Sequence, residues 1–96
     1  MTEMVSMQGR ITVNNAFEMR RTLADALRSH AARVTVDLSA VPYMDTSGLA
    51  TLMEAMQIAR KQGTRLILRG IQEQPRCLLE VTDLDQVFEV EEGAST

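Results

Sequence analysis

The chain has 96 residues and a mass of 10.7 kDa, which suits one domain, because independently folding domains typically need about 50 to 250 residues. Apolar residues make up 45% of the chain and charged residues 24%, so the composition indicates a globular protein and excludes a disordered or fibrous one. The net charge of -3 argues against nucleic-acid binding, since phosphate neutralisation needs clustered Lys and Arg.

The first strand and the first helix are predicted from a change in apolar periodicity. Residues 5–13 alternate with period two, which is typical of a half-buried strand, and Gly9 is a candidate bulge. Asn14 and Asn15 then suit the N-terminal cap of a helix over about 15–30. The apolar stripe of that helix comprises Ala16, Met19, Leu23 and Leu27.

A buried strand and a long helix follow. Residues 34–38 are rich in β-branched side chains, which predicts a buried parallel strand, and the chain then turns at Pro42. The spacing predicts a second helix over 46–62, with Gly63 just beyond its end. The apolar stripe of this helix comprises Leu49, Leu52, Met53, Met56 and Ala59.

The last third of the chain repeats the same alternation. Residues 65–69 predict a short strand ended by Gly70, Pro75 suits the first residue of a third helix, and residues 87–90 predict a last strand. The order is that of an α/β domain over residues 1–96, with a mixed or mostly parallel central sheet of about four strands and three to four helices. Residues 91–96 are expected to form a flexible acidic tail.

The sequence argues against a membrane span, a secretory leader, a metal site and a cofactor site. No apolar stretch is long enough for a membrane span and no secretory leader is recognisable, so we expect a cytoplasmic protein without membrane insertion. Cys77 is the one cysteine and His30 the one histidine, so we expect no metal, and the sequence contains no phosphate-binding loop or other cofactor motif. Cys77 is expected to pack in the core from the third helix.

Three hydrogen-bonding residues, Asp45, Thr46 and Ser47, stand between the second strand and the second helix. Asp45 or Thr46 suits a helix cap, and Gly48 allows a close approach of the chain. The G-x-S-x-G pattern of serine hydrolases is absent, because Asp45 and Leu49 occupy the positions of its glycines. We therefore predict that the chain is not an enzyme.

Residues 34–49 resemble the signature of the STAS domains, which are named for sulfate transporters and anti-sigma factor antagonists. The resemblance extends in looser form to residues 9–11, 63–66 and 79–84 and to Phe88. It implies a small α/β domain with a serine or threonine at the start of the second helix, which a partner kinase phosphorylates.

The resemblance also implies a function and site residues. Ser47 aligns with the family's phosphoacceptor, with Thr46 as the second choice, and Asp45 and Gly48 align with the residues around it. In anti-sigma factor antagonists the dephosphorylated form sequesters an anti-sigma factor serine kinase, an ATPase of histidine-kinase-like fold, and phosphorylation releases it. A phosphoserine phosphatase resets the switch. The implied role is that of a bacterial phosphoprotein that regulates transcription by partner switching.

The resemblance leaves a structural role open as the alternative. Stand-alone STAS chains are also similar to stressosome scaffold components and to the small cytosolic subunit of a phospholipid ABC transporter. The transporter subunit carries threonine at the position of Thr46 and glycine at the position of Ser47, so the serine present here favours the switch. The N-terminus is short for the family's first strand, which leaves a sheet edge free to pair with another chain and a homodimer open.

Helical spacing predicts a docking surface on the second helix. Ser47, Thr51, Glu54 and Ile58 fall on the face opposite the apolar stripe. Ile58 is apolar on that face, which is either an ordinary exposed side chain or an anchor for a partner. With Asp45, Thr46 and Gly48, these residues form the predicted partner-binding set.

Overall fold

The computed structural model describes residues 2–91 and contains seven elements of secondary structure. The strands are β1 (Thr2–Gln8), β2 (Arg33–Ala40), β3 (Arg65–Arg69) and β4 (Glu89–Glu91), and the helices are α1 (Ala16–Arg28), α2 (Thr46–Gln62) and α3 (Glu73–Val81). The alternating order is the predicted one. The predicted tail lies outside the described residues apart from Glu91, which ends β4.

The four strands form one sheet in the order β1-β2-β3-β4, and all three pairings are parallel. The sequence predicted a sheet that is either mixed or mostly parallel. Within residues 2–91 every strand pairing is parallel. Each crossover moves one strand further in the same direction. Because parallel crossovers are right-handed, all three helices cover the same face of the sheet.

One hydrophobic core lies between that face and the helices. The predicted stripe of α1 is buried at Met19, Leu23 and Leu27, while Ala16 is half-buried. In α2 the predicted stripe is buried except for Met53, which is half-buried. The sheet contributes side chains that are fully buried, namely Val34, Val36, Leu38 and Leu68.

The opposite face of the sheet carries no helix in the described part of the chain, and it presents charged side chains beside Thr35 and Ile67, which are buried. Arg65 of β3 pairs with Glu89 of β4, and Arg33 of β2 pairs with Glu91 at 3.5 Å. The hydrogen bond from Arg65 holds the pKa of Glu89 below its ordinary range. These pairs connect the short last strand to β3 and to β2 beyond it.

Strand β1 begins and ends earlier than predicted. Its register with β2 shifts between Ser6 and Gln8, and Gly9 follows with a φ of 77°, so the strand ends before the predicted run of residues 5–13 is complete. Ile11 stays buried because it forms a bridge with Met44, whereas Val13 is 71% exposed.

The other differences lie in the capping of α1 and in the last third of the chain. Asn15 precedes α1 without a side-chain cap, and its side chain instead accepts from the N–H of Thr12 at 2.8 Å. Helix α3 begins at Glu73, before Pro75, and the last strand spans 89–91 instead of 87–90.

Cys77 is exposed, so the prediction of a core cysteine is wrong. Helix α3 buries Pro75 and Leu79, and a residue midway between them in sequence lies on the opposite side of the helix. Across residues 2–91, no helix combines the length and the apolar content needed to cross a bilayer.

Candidate partner-binding site at the start of the second helix

Asp45 caps α2. Its Oδ1 accepts from the N–H groups of Ser47 at 2.8 Å and Gly48 at 3.4 Å, and its backbone is extended. This geometry confirms the capping interpretation and assigns the cap to Asp45 rather than Thr46. The half-buried carboxylate is therefore committed to the first turn of the helix.

Ser47 is the second residue of α2 and is half-buried, while Thr46 before it is exposed. The backbone carbonyl of Ser47 accepts from the Thr51 hydroxyl at 2.9 Å. Within residues 2–91 the Ser47 hydroxyl itself has no hydrogen-bond partner. The hydroxyl is thus not engaged in holding the fold, and it stands at the helix end where the dipole favours an anion.

The loop before α2 is held by the loop that follows β1. The N–H of Ile11 donates to the carbonyl of Tyr43 at 2.9 Å, and the N–H of Asp45 donates to the carbonyl of Ile11 at 3.0 Å. The Arg10 guanidinium lies over the Tyr43 ring, 4.3 Å from its centroid. The position of the capping residue is therefore set by a segment more than thirty residues away in sequence.

Gln74 of α3 holds the same loop in place, and this role was not predicted from the sequence. Its side-chain amide donates to the carbonyl of Met44 at 3.0 Å and accepts from the N–H of Met44 at 2.8 Å. Both groups of the residue before Asp45 are thereby satisfied by one side chain. A glutamine 30 positions away carries no local pattern that could have predicted this contact.

Replacing Gln74 by Leu is expected to lower the free energy of unfolding by about 2 kcal/mol, because it leaves the two half-buried backbone groups of Met44 without partners. Gln74→Glu should be destabilising near neutral pH, where a carboxylate faces the Met44 carbonyl, and should recover when acid protonates it. Urea denaturation across pH measures both effects. Gln57→Glu on the exposed side of α2 is the control, and an equal loss there would contradict the proposed role of Gln74.

Gly48 is buried and serves the site through packing. A Cβ at this position would lie 2.6 Å from Met44 Cγ and 2.9 Å from Ile11 Cγ2, which is closer than side-chain carbons pack. The absence of a side chain lets α2 approach both loops. Gly48 therefore contributes to the predicted set by positioning Ser47 rather than by offering a surface of its own.

The remaining predicted residues lie beside α1. Thr51 is only 9% exposed, so the expected open face is wrong at this residue. Glu54 forms a two-point ion pair with Arg20 of α1, with distances of 2.7 and 2.8 Å. Ile58 is 40% exposed. Helix α2 packs against α1 as well as the sheet, so its buried arc is wider than one apolar stripe predicts.

This arrangement forms a groove between α1 and α2, which we call the α1–α2 groove. Its volume is about 190 Å³, and Ile58 and Glu54 stand on its α2 side. Apolar side chains of α1 form its other wall, namely Leu23, Ala24 and Leu27. The structure brings Thr51, Glu54 and Ile58 together along this groove, with Ser47 one to three turns further toward the start of α2.

Two exposed apolar residues near the site were not predicted from the sequence. Phe17 is 66% exposed in the first turn of α1, and Val13 precedes it in the loop bonded to Asp45. Phe17 lies one turn before Arg20, the residue that pairs with Glu54. Its position outside the apolar stripe of α1 could have identified it as an exposed apolar residue from the sequence.

Residues 2–91 contain no group of three or more His, Cys, Asp or Glu side chains placed to hold a metal.

Comparisons with known proteins identify the family of this chain. The family model for the STAS domain matches residues 3–95. An anti-sigma-B factor antagonist of Bacillus subtilis (strain 168) is 29% identical over 86 residues, which are 90% of this chain and 78% of that protein. The intermembrane phospholipid transport system binding protein MlaB of Escherichia coli (strain K12) is 37% identical over 49 residues, 51% of this chain and 50% of MlaB.

A solved structure shows the same fold. The anti-sigma factor antagonist from Mycobacterium paratuberculosis matches with a TM-score of 0.84 at 21% identity, covering 93% of this chain and 75% of that one. With the match of residues 3–95 to the family model, the predicted resemblance is confirmed, and the chain belongs to the STAS domain family.

Proposed function

We propose that this chain is an anti-sigma factor antagonist. In its dephosphorylated form it sequesters an anti-sigma factor serine kinase, and phosphorylation of Ser47 releases that kinase. The observation that carries the proposal is the Ser47 hydroxyl, which is unengaged within residues 2–91 and is presented by a helix start that Asp45 caps. The relative in Bacillus subtilis supports the general role. The chain acts by binding and catalyses no reaction itself.

A phosphate on Ser47 would change binding more than folding. It adds about -1.5 to -2 charges and three acceptor oxygens next to the positive end of the helix dipole, which tolerates an anion. A partner packed over Ser47 would have to desolvate that charge beside the Asp45 carboxylate. Glu54 adds little to the repulsion, because Arg20 neutralises it. The fold is thus expected to survive modification while the complex separates.

The direct test is a phosphosite map by mass spectrometry of the protein purified from its own cells, combined with a pull-down at each phosphorylation state. Phosphate on Ser47, together with a kinase that copurifies only with the unmodified protein, is the expected result. Phosphate on Thr46 instead would move the acceptor by one residue. A protein that stays unmodified under every stress and captures no kinase would overturn the proposal.

A role as a binding subunit of a phospholipid transport system is the second candidate. It is favoured by the match to MlaB, whose identity of 37% over 49 residues is higher than that of the Bacillus subtilis relative over its longer span. The same pull-down separates the candidates. An ABC ATPase among the captured proteins supports the transport role, and a megadalton particle supports a stressosome scaffold.

Replacing Ile58 by Lys is expected to weaken binding of the captured kinase at least about tenfold, because it removes an apolar anchor at the rim of the α1–α2 groove and adds a charge. Ile58 is 40% exposed, so the melting temperature should change little. Val81→Lys, on the exposed side of α3, is the matched control. A loss of stability as large as the loss of binding would place Ile58 among the core residues.

A further inference from the structure

Phe17 and Val13 form a small apolar patch on the surface, which we call the Phe17 patch. Phe17 is 66% exposed and Val13 is 71% exposed, so folding buries little of either side chain. The core needs neither of them, because α1 fills its share of the core with Met19, Leu23 and Leu27. Aromatic residues are enriched among the residues that dominate protein binding, so an exposed phenylalanine is a candidate contact for a partner.

The ion pair between Arg20 and Glu54 sets the position of Phe17 relative to Ser47. Helices α1 and α2 run in the same direction, since each returns between two parallel strands. Phe17 lies one turn before Arg20. Ser47 lies two turns before Glu54, so its height along the helices differs from that of Phe17 by about one turn, or roughly 6 Å. Packed helix axes lie about 8 to 10 Å apart, which puts the two residues about 12 Å from each other.

Phe17 lies on the side of α1 that borders the α1–α2 groove. Seven residues make nearly two full turns of helix, so Phe17 is in line with Ala24, which lines that groove. Arg20, between these two residues, lines it as well. Ser47 stands at the same end of the groove on α2. Phe17 and Ser47 therefore lie on the same face of the molecule, one on each side of the groove.

We propose that Phe17 is the side chain by which the kinase that phosphorylates Ser47 recognises this chain, and that it enters an apolar pocket beside the catalytic cleft of the kinase. This inference rests on the proposed function. The kinase transfers the γ-phosphoryl group of ATP to Ser47 Oγ. The bond from phosphorus to Oγ forms, the bond from phosphorus to the oxygen of the departing ADP breaks, and the hydroxyl proton passes to a base of the kinase. Phe17 acts through binding and takes no part in the transfer.

The transfer requires the kinase to lie over Ser47, and an interface of ordinary size then also covers Phe17. A standard interface buries about 800 Å² on each partner, which corresponds to a disc with a radius of about 16 Å. Phe17, at about 12 Å from Ser47, lies inside such a disc. Val13 lies near it too, because its loop is bonded to the residue that caps α2 through the hydrogen bond from Asp45 N to the carbonyl of Ile11.

A lipid surface does not fit the Phe17 patch. Helices that bind membranes present a continuous apolar face bordered by basic residues. The apolar stripe of α1 is instead buried in the core, and the net charge of -3 opposes binding to anionic lipid. Two exposed apolar side chains next to a modification site suit a pocket on a protein partner.

Initial rates of Ser47 phosphorylation test the inference, with ATP in excess and the kinase captured in the pull-down. Phe17→Ala is expected to raise the KM for this chain at least about tenfold and to leave kcat within about twofold, because the contact is the same before and during the transfer. Phe17→Leu should recover most of the loss, since it keeps an apolar side chain. Val81→Ala, at a residue of α3 that is 79% exposed, is the control and should change neither constant.

An unchanged KM for Phe17→Ala would overturn the inference while leaving Ser47 as the phosphoacceptor. A chain that no kinase phosphorylates would refute the proposed function and this inference together. Melting temperatures should not change, and if Phe17→Ala proves unstable, Val13→Ser, which lies outside α1, must raise the KM by itself. Sedimentation of each variant alone is the last check, because a change in mass would assign the Phe17 patch to a second copy of the chain and exclude the kinase as its partner.

Discussion

If the proposed function holds, replacing Ser47 by Asp is expected to lower the affinity for the proposed anti-sigma factor kinase about a hundredfold, a loss of about 2.7 kcal/mol, while Ser47→Ala remains bound. A carboxylate at this position puts an unpaired charge into the interface beside the carboxylate that caps α2. Alanine removes only a hydroxyl that bonds nothing within residues 2–91, so the free surface stays close to that of the unmodified protein.

Titration of the captured kinase by calorimetry or interferometry, with melting temperatures of all variants, measures this effect. Thr46→Asp is the matched control, because it adds the same charge one residue away at an exposed position. It should cost less affinity than Ser47→Asp. Equal binding by the Ala and Asp variants of Ser47 would refute the switch, and an equal drop in melting temperature for both would indicate a structural serine.

Replacing Gly48 by Val is expected to lower the free energy of unfolding by about 3 kcal/mol, a large part of the 5 to 15 kcal/mol typical of a domain. A Cβ would meet Ile11 Cγ2 at 2.9 Å, and the branched Ile11 side chain has little freedom to move away. The flexible Met44 side chain can adjust, but it is 2% exposed and has few alternative positions. We expect a melting temperature lower by roughly 15 °C.

Ala50→Val provides the control for Gly48→Val, because Ala50 is exposed in the same region of α2. There the β-branched side chain should cost only about 0.5 kcal/mol, its ordinary penalty in a helix. Calorimetry and urea denaturation of both variants separate crowding from helix propensity. If the two variants lose similar stability, crowding against Ile11 and Met44 would not explain the glycine at position 48.

The local features of the site were determined by nearby residues, and the sequence predicted them correctly. Helix α2 spans Thr46–Gln62 as predicted, Asp45 accepts from its first turn, and Gly63 ends it in a left-handed conformation. Caps and C-terminal glycines act through hydrogen bonds between residues two to four positions apart. The run that carries the family resemblance, residues 34–49, lies in the same segment, so the family could also be identified from sequence.

Contacts between distant segments were decided only by the tertiary structure. The parallel register of the sheet places Ile11 against Met44, and the third crossover brings Gln74 to the same loop. The packing of α1 beside α2 buries Thr51 and pairs Arg20 with Glu54. The sequence by itself determined the order of the elements, the capped serine and the family. The side chains that hold the loop before Ser47, and the surface around Ser47, depend on how elements thirty or more residues apart pack together. The apolar periodicity of a single helix contains no information about that packing.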